Sequence, residues 1–353
     1  MQTYHILLYM EQGRDEIFME RCLQLAQLGA GYVAPNPMVG AVLVYEDRII
    51  GEGYHRQYGQ AHAEVNCLAS VRPEDRALIP HSTLYVSLEP CAHHGKTPPC
   101  ADLIVRENIP VCVVGCVDIF AKVAGKGIAK LEAAGVQVRT GVLEAACREL
   151  NRRFFTFHSL QRPYIVLKWA QSANGLLSGA GGQPVRISHP ITDRLVHKWR
   201  SGEAAILVGA NTALMDDPRL NNRHWTGGQP LRVVIDLHNK VPLTHQVYDA
   251  SQPTVWVTAR TRPDHDHILV QGGEPVLPQL LAQLHARSVQ SVLVEGGAFT
   301  LQQFIAAGLW DEARVIVGAK SIAQGVAAPV LTQAGLEQTL SLESDQLFFY
   351  RHW

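Results

Sequence analysis

Residues 86–100, VSLEPCAHHGKTPPC, decide the fold of the first half of this chain. A β-rich apolar run over Ser82–Leu88 ends at Glu89-Pro90, and Cys91 follows at once. Eight residues separate it from Cys100, which stands behind Pro98-Pro99, a helix-start signal, and leads into ADLIVREN. Upstream, His62-Ala63-Glu64 opens a short apolar segment that predicts a buried helix over Ala63–Ala69. One imidazole and two thiolates make three tetrahedral ligands for a single Zn²⁺ and leave the fourth position open, as a catalytic site requires. Such an ion lowers the pKa of a water it binds to about 7. Glu64, beside a ligand but not one itself, can shuttle that water's proton. Two plainer readings compete. The cysteines could be small buried hydrophobes with His62 a helix cap, or His93 or His94 could close a structural zinc site. The second leaves Glu64 without a use.

Working outward, 353 residues suffice for two domains of ordinary size. Against 31 basic residues stand 32 acidic ones, so no global charge favours nucleic acid or an anionic membrane surface. The N-terminus lacks a basic region ahead of its apolar stretch, and no run of eighteen apolar residues occurs. Seven cysteines without an export signal are expected to be reduced thiols in a cytoplasmic protein. A homo-oligomer is left open.

Helical spacing of Phe18, Cys22, Leu25 and Ala26 predicts a helix over 16–29. Val39–Tyr45 and Arg48–Gly53 flank Glu46-Asp47 as a hairpin, Val111–Val117 reads as a strand and Ala129–Gly135 as a helix. One further helix is expected over Val142–Phe157, then a linker, HSLQRP, over His158–Pro163. Strands are expected again at Tyr164–Ala170, Ala204–Val208, Leu231–Ile235, Thr254–Val257 and Ser291–Val294, with helices near 191–200, 276–287 and 299–308. This alternation argues for two α/β domains, 1–158 and 159–353.

The order H-A-E, P-C and a second Cys is the signature of zinc-dependent nucleobase deaminases. The eight-residue gap makes Glu89-Pro90-Cys91-x-His93-His94-x-Lys96-Thr97-Pro98-Pro99-Cys100 similar to the deaminase domain of the bifunctional riboflavin-biosynthesis deaminase/reductases. So do Pro35-Asn36-Pro37-x-Val39-Gly40, Gly51-x-Gly53-Tyr54-His55 and Val123-Ala124-Gly125-Lys126-Gly127. The resemblance implies a cytidine-deaminase-like three-layer α/β/α domain acting on a phosphoribosylamino-pyrimidine. It implies zinc on His62, Cys91 and Cys100, Glu64 as proton carrier, and Asn36 on the pyrimidine. His93, Lys96 and Thr97 would then offer a cation and donors to a phosphate. Where many relatives have Asp-Pro-Asn, this chain has Asp118-Ile119-Phe120, so no role passes to Phe120.

In the second half, Glu295-Gly296-Gly297 after a strand allows a close backbone approach to a ligand, without the full Rossmann fingerprint. Lys168-x-Ala170-x-Ser172-x-x-Gly175, Arg200, Thr212, Asp216-Asp217-Pro218-x-Leu220 and Arg223 resemble the reductase domain of the same family. That resemblance implies a dihydrofolate-reductase-like α/β fold using NADPH. Ala170, Arg186, Thr212, Asp216 and Gly297 fall on the cofactor side, and Arg200, Leu220, Arg223 and Glu295 on the substrate side. Lys168, Asp216 and Glu295 are the polar groups for catalysis. Three departures bear on activity: Asn174 stands where relatives have Asp, Arg186 where they have Trp, and Gly318-Ala319 where they have Ala-Pro. The expectation is consecutive zinc deamination and NADPH reduction of a small phosphorylated pyrimidine. An active deaminase with an impaired reductase half, or a structural-zinc binding module, is the alternative.

Overall fold

Strands that are apolar on both faces need cover on both faces. The computed structural model, which describes residues 2–93, 98–119 and 125–353 (residues 2–12 by backbone alone), provides it. The chain divides into two compact units, Met1–Ser159 and Leu160–Trp353.

In the first unit α1 (Gln2–Gln27) precedes the hairpin β1 (Gly40–Tyr45) and β2 (Arg48–Tyr54). There follow α2 (Ala63–Ala69), β3 (Thr83–Leu88), α3 (Cys100–Arg106), β4 (Val111–Cys116), α4 (Lys126–Ala133), β5 (Gln137–Thr140), α5 (Glu144–Leu150) and α6 (Arg152–Leu160). The sheet order is β2-β1-β3-β4-β5, antiparallel around β1 and parallel from β3 onward. Period-two alternation sends Ala41, Leu43, Leu84 and Val86 toward α2, α3 and α4, where Cys67, Leu68, Ile104 and Leu131 are buried. Val42, Val44, Tyr85 and Val113 point the other way, onto Phe18, Met19 and Cys22 of α1 and Phe154 and Phe155 of α6. Three layers result, as the resemblance implies.

Two expectations need correction. The helix expected over 142–157 is two helices, interrupted at Asn151. That side chain leaves the helical pattern to accept the Met38 N–H and donate to the Met38 carbonyl, both at 2.8 Å, which pins the segment entering β1. The expected linker is helical through Leu160, because Phe154, Phe155 and Phe157 at helical spacing are buried.

The second unit contains β6 (Tyr164–Gln171), β7 (Leu176–Gly179), α7 (Pro190–Gly202), β8 (Ala205–Gly209), α8 (Ala210–Asp216), β9 (Leu231–Ile235), β10 (Thr254–Thr258) and β11 (His267–Leu269). α9 (Val276–Ala286), β12 (Ser291–Val294), α10 (Ala298–Ala306), β13 (Glu312–Val317), β14 (Gly325–Ala327), β15 (Ala334–Leu342) and β16 (Asp345–His352) complete it. Nine strands run in the order β11-β10-β9-β8-β12-β6-β13-β16-β15, parallel as far as β13, with β16 and β15 antiparallel. β7 and β14 form a separate pair. Leu280, Leu284, Phe304 and Ile305 of α9 and α10 cover one face. The other is covered by Val196 and Trp199 of α7 and Ala213 of α8. β8 and β12 are neighbours whose carboxyl ends open onto α8 and α10, the kind of crevice in which parallel α/β sheets bind ligands.

Candidate functional site

In the first unit, His62 occupies the N-cap position of α2 but its ring makes no capping hydrogen bond. The imidazole faces Cys91, just beyond β3, and Cys100, the first residue of α3. Nδ1 lies 3.6 Å from Cys91 Sγ and 3.5 Å from Cys100 Sγ, and the three donor atoms fall within 4.8 Å of one another. With Zn–S near 2.3 Å and Zn–N near 2.05 Å, tetrahedral angles put sulfur and nitrogen about 3.6 Å apart. The donor set therefore fits Zn²⁺ in kind and in spacing. The Cys100 backbone N–H donates to Cys91 Sγ at 3.3 Å. Cys100 and then His62 stabilise the Cys91 thiolate, so its pKa falls, while the neighbouring Cys100 is pushed up by that same pairing and by burial. Binding a dication relieves this competition between two thiolates.

Glu64 sits in the first turn of α2, buried, within hydrogen-bonding reach of Cys100. Burial first, and then the Cys91 charge, raise its carboxyl to about 7, a poise suited to taking up and releasing a proton near neutral pH. His93 is exposed and does not join the three-ligand group; His94, Lys96, Thr97 and Phe120 lie outside the described residues. Asn36 Nδ2 is 3.1 Å from His55 Nε2, and His55 Nδ1 is 3.0 Å from the Ala61 carbonyl. A carbonyl can only accept, so Nδ1 carries the proton and Nε2 accepts from the Asn36 amide.

Glu89, directly before Pro90-Cys91, carries no role that its residue type and position in the sequence announce. The structure buries it, with Oε1 accepting the N–H groups of Gly127 and Ile128 at 2.8 and 3.3 Å. Oε2 accepts those of Asp118 and Gly125 at 3.2 and 3.0 Å. A carboxylate at the end of β3 thus supplies the cap of α4 from another element. Its only signal in sequence was its place directly before Pro90-Cys91.

In the second unit Lys168 (β6), Arg200 (α7) and Glu295 (after β12) come together. Arg200 donates from Nε and Nη2 to the two Glu295 oxygens at 2.8 and 2.7 Å, and Lys168 Nζ lies 3.9 Å from Glu295. Burial alone would raise the Glu295 carboxyl, but Arg200 and Lys168 hold it down at about 2. Burial lowers the Lys168 pKa against the pull of Glu295. Arg200 also donates to the Asn221 carbonyl, and Arg223 to the Asn221 side chain, so both arginines meet at the loop carrying Leu220.

On the other flank, the Gly297 N–H donates to Thr212 Oγ1 at 2.7 Å at the start of α10. A Cβ on Gly297 would stand 3.1 Å from that hydroxyl, so glycine allows α8 and α10 to approach closely there. Glycine backbone at the carboxyl ends of β8 and β12 and the N-terminus of α10 is the setting in which parallel α/β sheets hold a dinucleotide phosphate. Ala170 lies near the end of β6, and Asp216 closes α8 with no hydrogen-bond partner among the described residues. Arg186 is turned outward onto Asp193 at 2.7 Å, 66% exposed.

The departures are accommodated locally. The Asn174 amide donates to the Ile322 carbonyl and accepts its N–H, which a carboxylate could not do. A Cβ at position 318 would meet the Ile187 backbone carbonyl at 2.5 Å, so the close packing of these two segments has room only for glycine there.

A family model described as the cytidine and deoxycytidylate deaminase zinc-binding region matches residues 12–116, and one described as the RibD C-terminal domain matches 163–348. Riboflavin biosynthesis protein RibD of Aquifex aeolicus is 36% identical over 94% of this chain and 95% of its own length. That of Escherichia coli is 34% identical over 92% and 93%. The crystal structure of a diaminohydroxyphosphoribosylaminopyrimidine deaminase/5-amino-6-(5-phosphoribosylamino)uracil reductase from Thermotoga maritima superposes with a TM-score of 0.89, at 32% identity, over 97% of this chain and 100% of that one. The chain belongs to the RibD family of riboflavin biosynthesis proteins.

Proposed function

We propose that the chain is a bifunctional riboflavin-biosynthesis enzyme. Its unit Met1–Ser159 deaminates 2,5-diamino-6-(5-phosphoribosylamino)pyrimidin-4(3H)-one, and its unit Leu160–Trp353 reduces the ribosyl group of the product to ribityl. The observation that carries the reading is a buried carboxyl, Glu64, beside three donor atoms at tetrahedral spacing. Zinc on His62, Cys91 and Cys100 supplies Lewis acidity, and NADPH beside Ala170, Thr212, Asp216 and Gly297 supplies the reducing equivalents.

In the first reaction water adds to C2 of the pyrimidinone and the C2–N bond breaks. Glu64 takes the proton that water loses and returns it to the departing nitrogen, which leaves as ammonia. Asn36, its amide set by His55, binds the ring. In the second reaction Lys168 Nζ protonates the ribosyl ring oxygen, opening the C1′–O bond to an iminium whose C1′ is then reduced. Burial eases the release of that proton, and Glu295 keeps Lys168 charged until then. Arg200 holds Glu295, and Arg223 binds the phosphate.

No helix among the described residues is long and apolar enough to cross a membrane. A cytoplasmic location completes the reading, since it keeps Cys91 and Cys100 reduced. Incubation with the diaminopyrimidinone should release ammonia without NADPH, and NADPH absorbance should fall only after that release. NADPH-independent silence on ammonia in the zinc-loaded protein would refute the deaminase assignment.

A further inference from the structure

His197 stands in the reductase site without a role so far. It lies on α7 one turn before Arg200 and is only 3% exposed. Its Nδ1 accepts the backbone N–H of Arg223 at 3.1 Å. A ring nitrogen that accepts carries no proton, so the proton sits on Nε2. Residues 217–223 belong to no helix or strand, and Leu220 has φ 53°, so this segment has no ladder of its own to set its position. Side chains from elsewhere hold it instead: Gln246 and Gln252 at Asp217 and Leu220, Gln229 at both backbone groups of Asn222, and, from α7, Arg200 at the Asn221 carbonyl and His197, which takes the Arg223 N–H.

The groups facing His197 keep it in the form this bond needs. Burial, and then Arg200, Arg223 and His224, hold its pKa down at about 4 against the weaker pull of Glu295. A protonated ring would turn an N–H toward the Arg223 N–H and break the contact.

We propose that His197 is a positioning residue of the reductase, a neutral strut whose Nδ1 lone pair fixes the backbone of Arg223 so that its guanidinium meets the substrate phosphate. The inference rests on the assignment of Arg223 to the phosphate. It concerns binding rather than the reduction itself, so its signature is a KM effect confined to phosphorylated substrate.

The test follows NADPH oxidation by the full-length zinc-loaded protein on the deaminated substrate, with and without its phosphate. His197→Ala, leaving the part-buried Arg223 N–H unpaired, is expected to raise KM about 10-fold with kcat within about 3-fold. His197→Asn can present Oδ1 near the position of Nδ1 and should recover KM to within about 3-fold of the parent. His197→Gln, whose amide sits at the Nε2 position, should not. On substrate lacking the phosphate the penalty should vanish, and in an Arg223→Ala background His197→Ala should add little. An unchanged KM in His197→Ala, an Asn variant no better than Gln, or an equal penalty without the phosphate overturns the proposal. If His197→Ala does not fold by circular dichroism, the Asn and Gln variants decide alone. Should Arg223→Ala itself leave KM unchanged, it is the phosphate assignment of Arg223 that fails.

Discussion

Glu64 shows how one residue's chemistry depends on neighbours distant in sequence. Two residues from His62 it is an ordinary acid, and burial, then the charge of Cys91, raises it to about 7. Glu64→Gln keeps the shape and loses the proton, so ammonia release should fall about 10³-fold while bound zinc, measured by elemental analysis, stays stoichiometric. Retained activity would remove Glu64 from the reaction. Glu295 is shifted the other way, to about 2, by Arg200 and Lys168. A depressed carboxyl adds stability that is fully present above its ordinary pKa and is lost as pH falls toward the native value. The melting-temperature advantage of the parent over Glu295→Gln should therefore shrink between about pH 4.5 and pH 2, with little change above pH 6. A pH-independent difference would contradict the ion-pair assignment. At this scale the sequence motifs named the ligands and Glu64. They did not reveal Glu89 or His197, whose partners are backbone N–H groups that leave no pattern in side-chain types.

At the scale of elements, helices and strands with strong periodicity were legible: β9 and β12 fall where Leu231–Ile235 and Ser291–Val294 were expected, and α2 at Ala63–Ala69. The break at Asn151 was not, because it arises from two hydrogen bonds to Met38 across 113 residues. α4 is likewise held from outside by Glu89. Glu89→Ala would leave four N–H groups without their acceptor and should destabilise the first unit by about 2–4 kcal/mol in urea unfolding, with Glu89→Gln intermediate. A loss below about 0.5 kcal/mol would show that water replaces the carboxylate at no cost. β15 and β16 went unread: β15 is mostly exposed, so it lacks the apolar alternation that marks a half-buried strand.

At the scale of the whole molecule, two units each carry their own sheet and their own cores. Removing zinc with a chelator should therefore abolish ammonia release and leave NADPH oxidation on deaminated substrate within about 2-fold, and loss of both would show that the second unit depends on the metal. The zinc-type donor set and the α/β alternation could be recognised from residue type and spacing, since side-chain chemistry and period are local properties of the chain, whereas the reductase residues were reached only through the family resemblance. What only the folded structure decided was proximity: the 3.5 and 3.6 Å separations at His62, the charge balance that sets Lys168 against Glu295, and the fit of Gly318 to Ile187. Each joins residues from different elements, and burial there multiplies electrostatic effects that an extended chain in water would screen away.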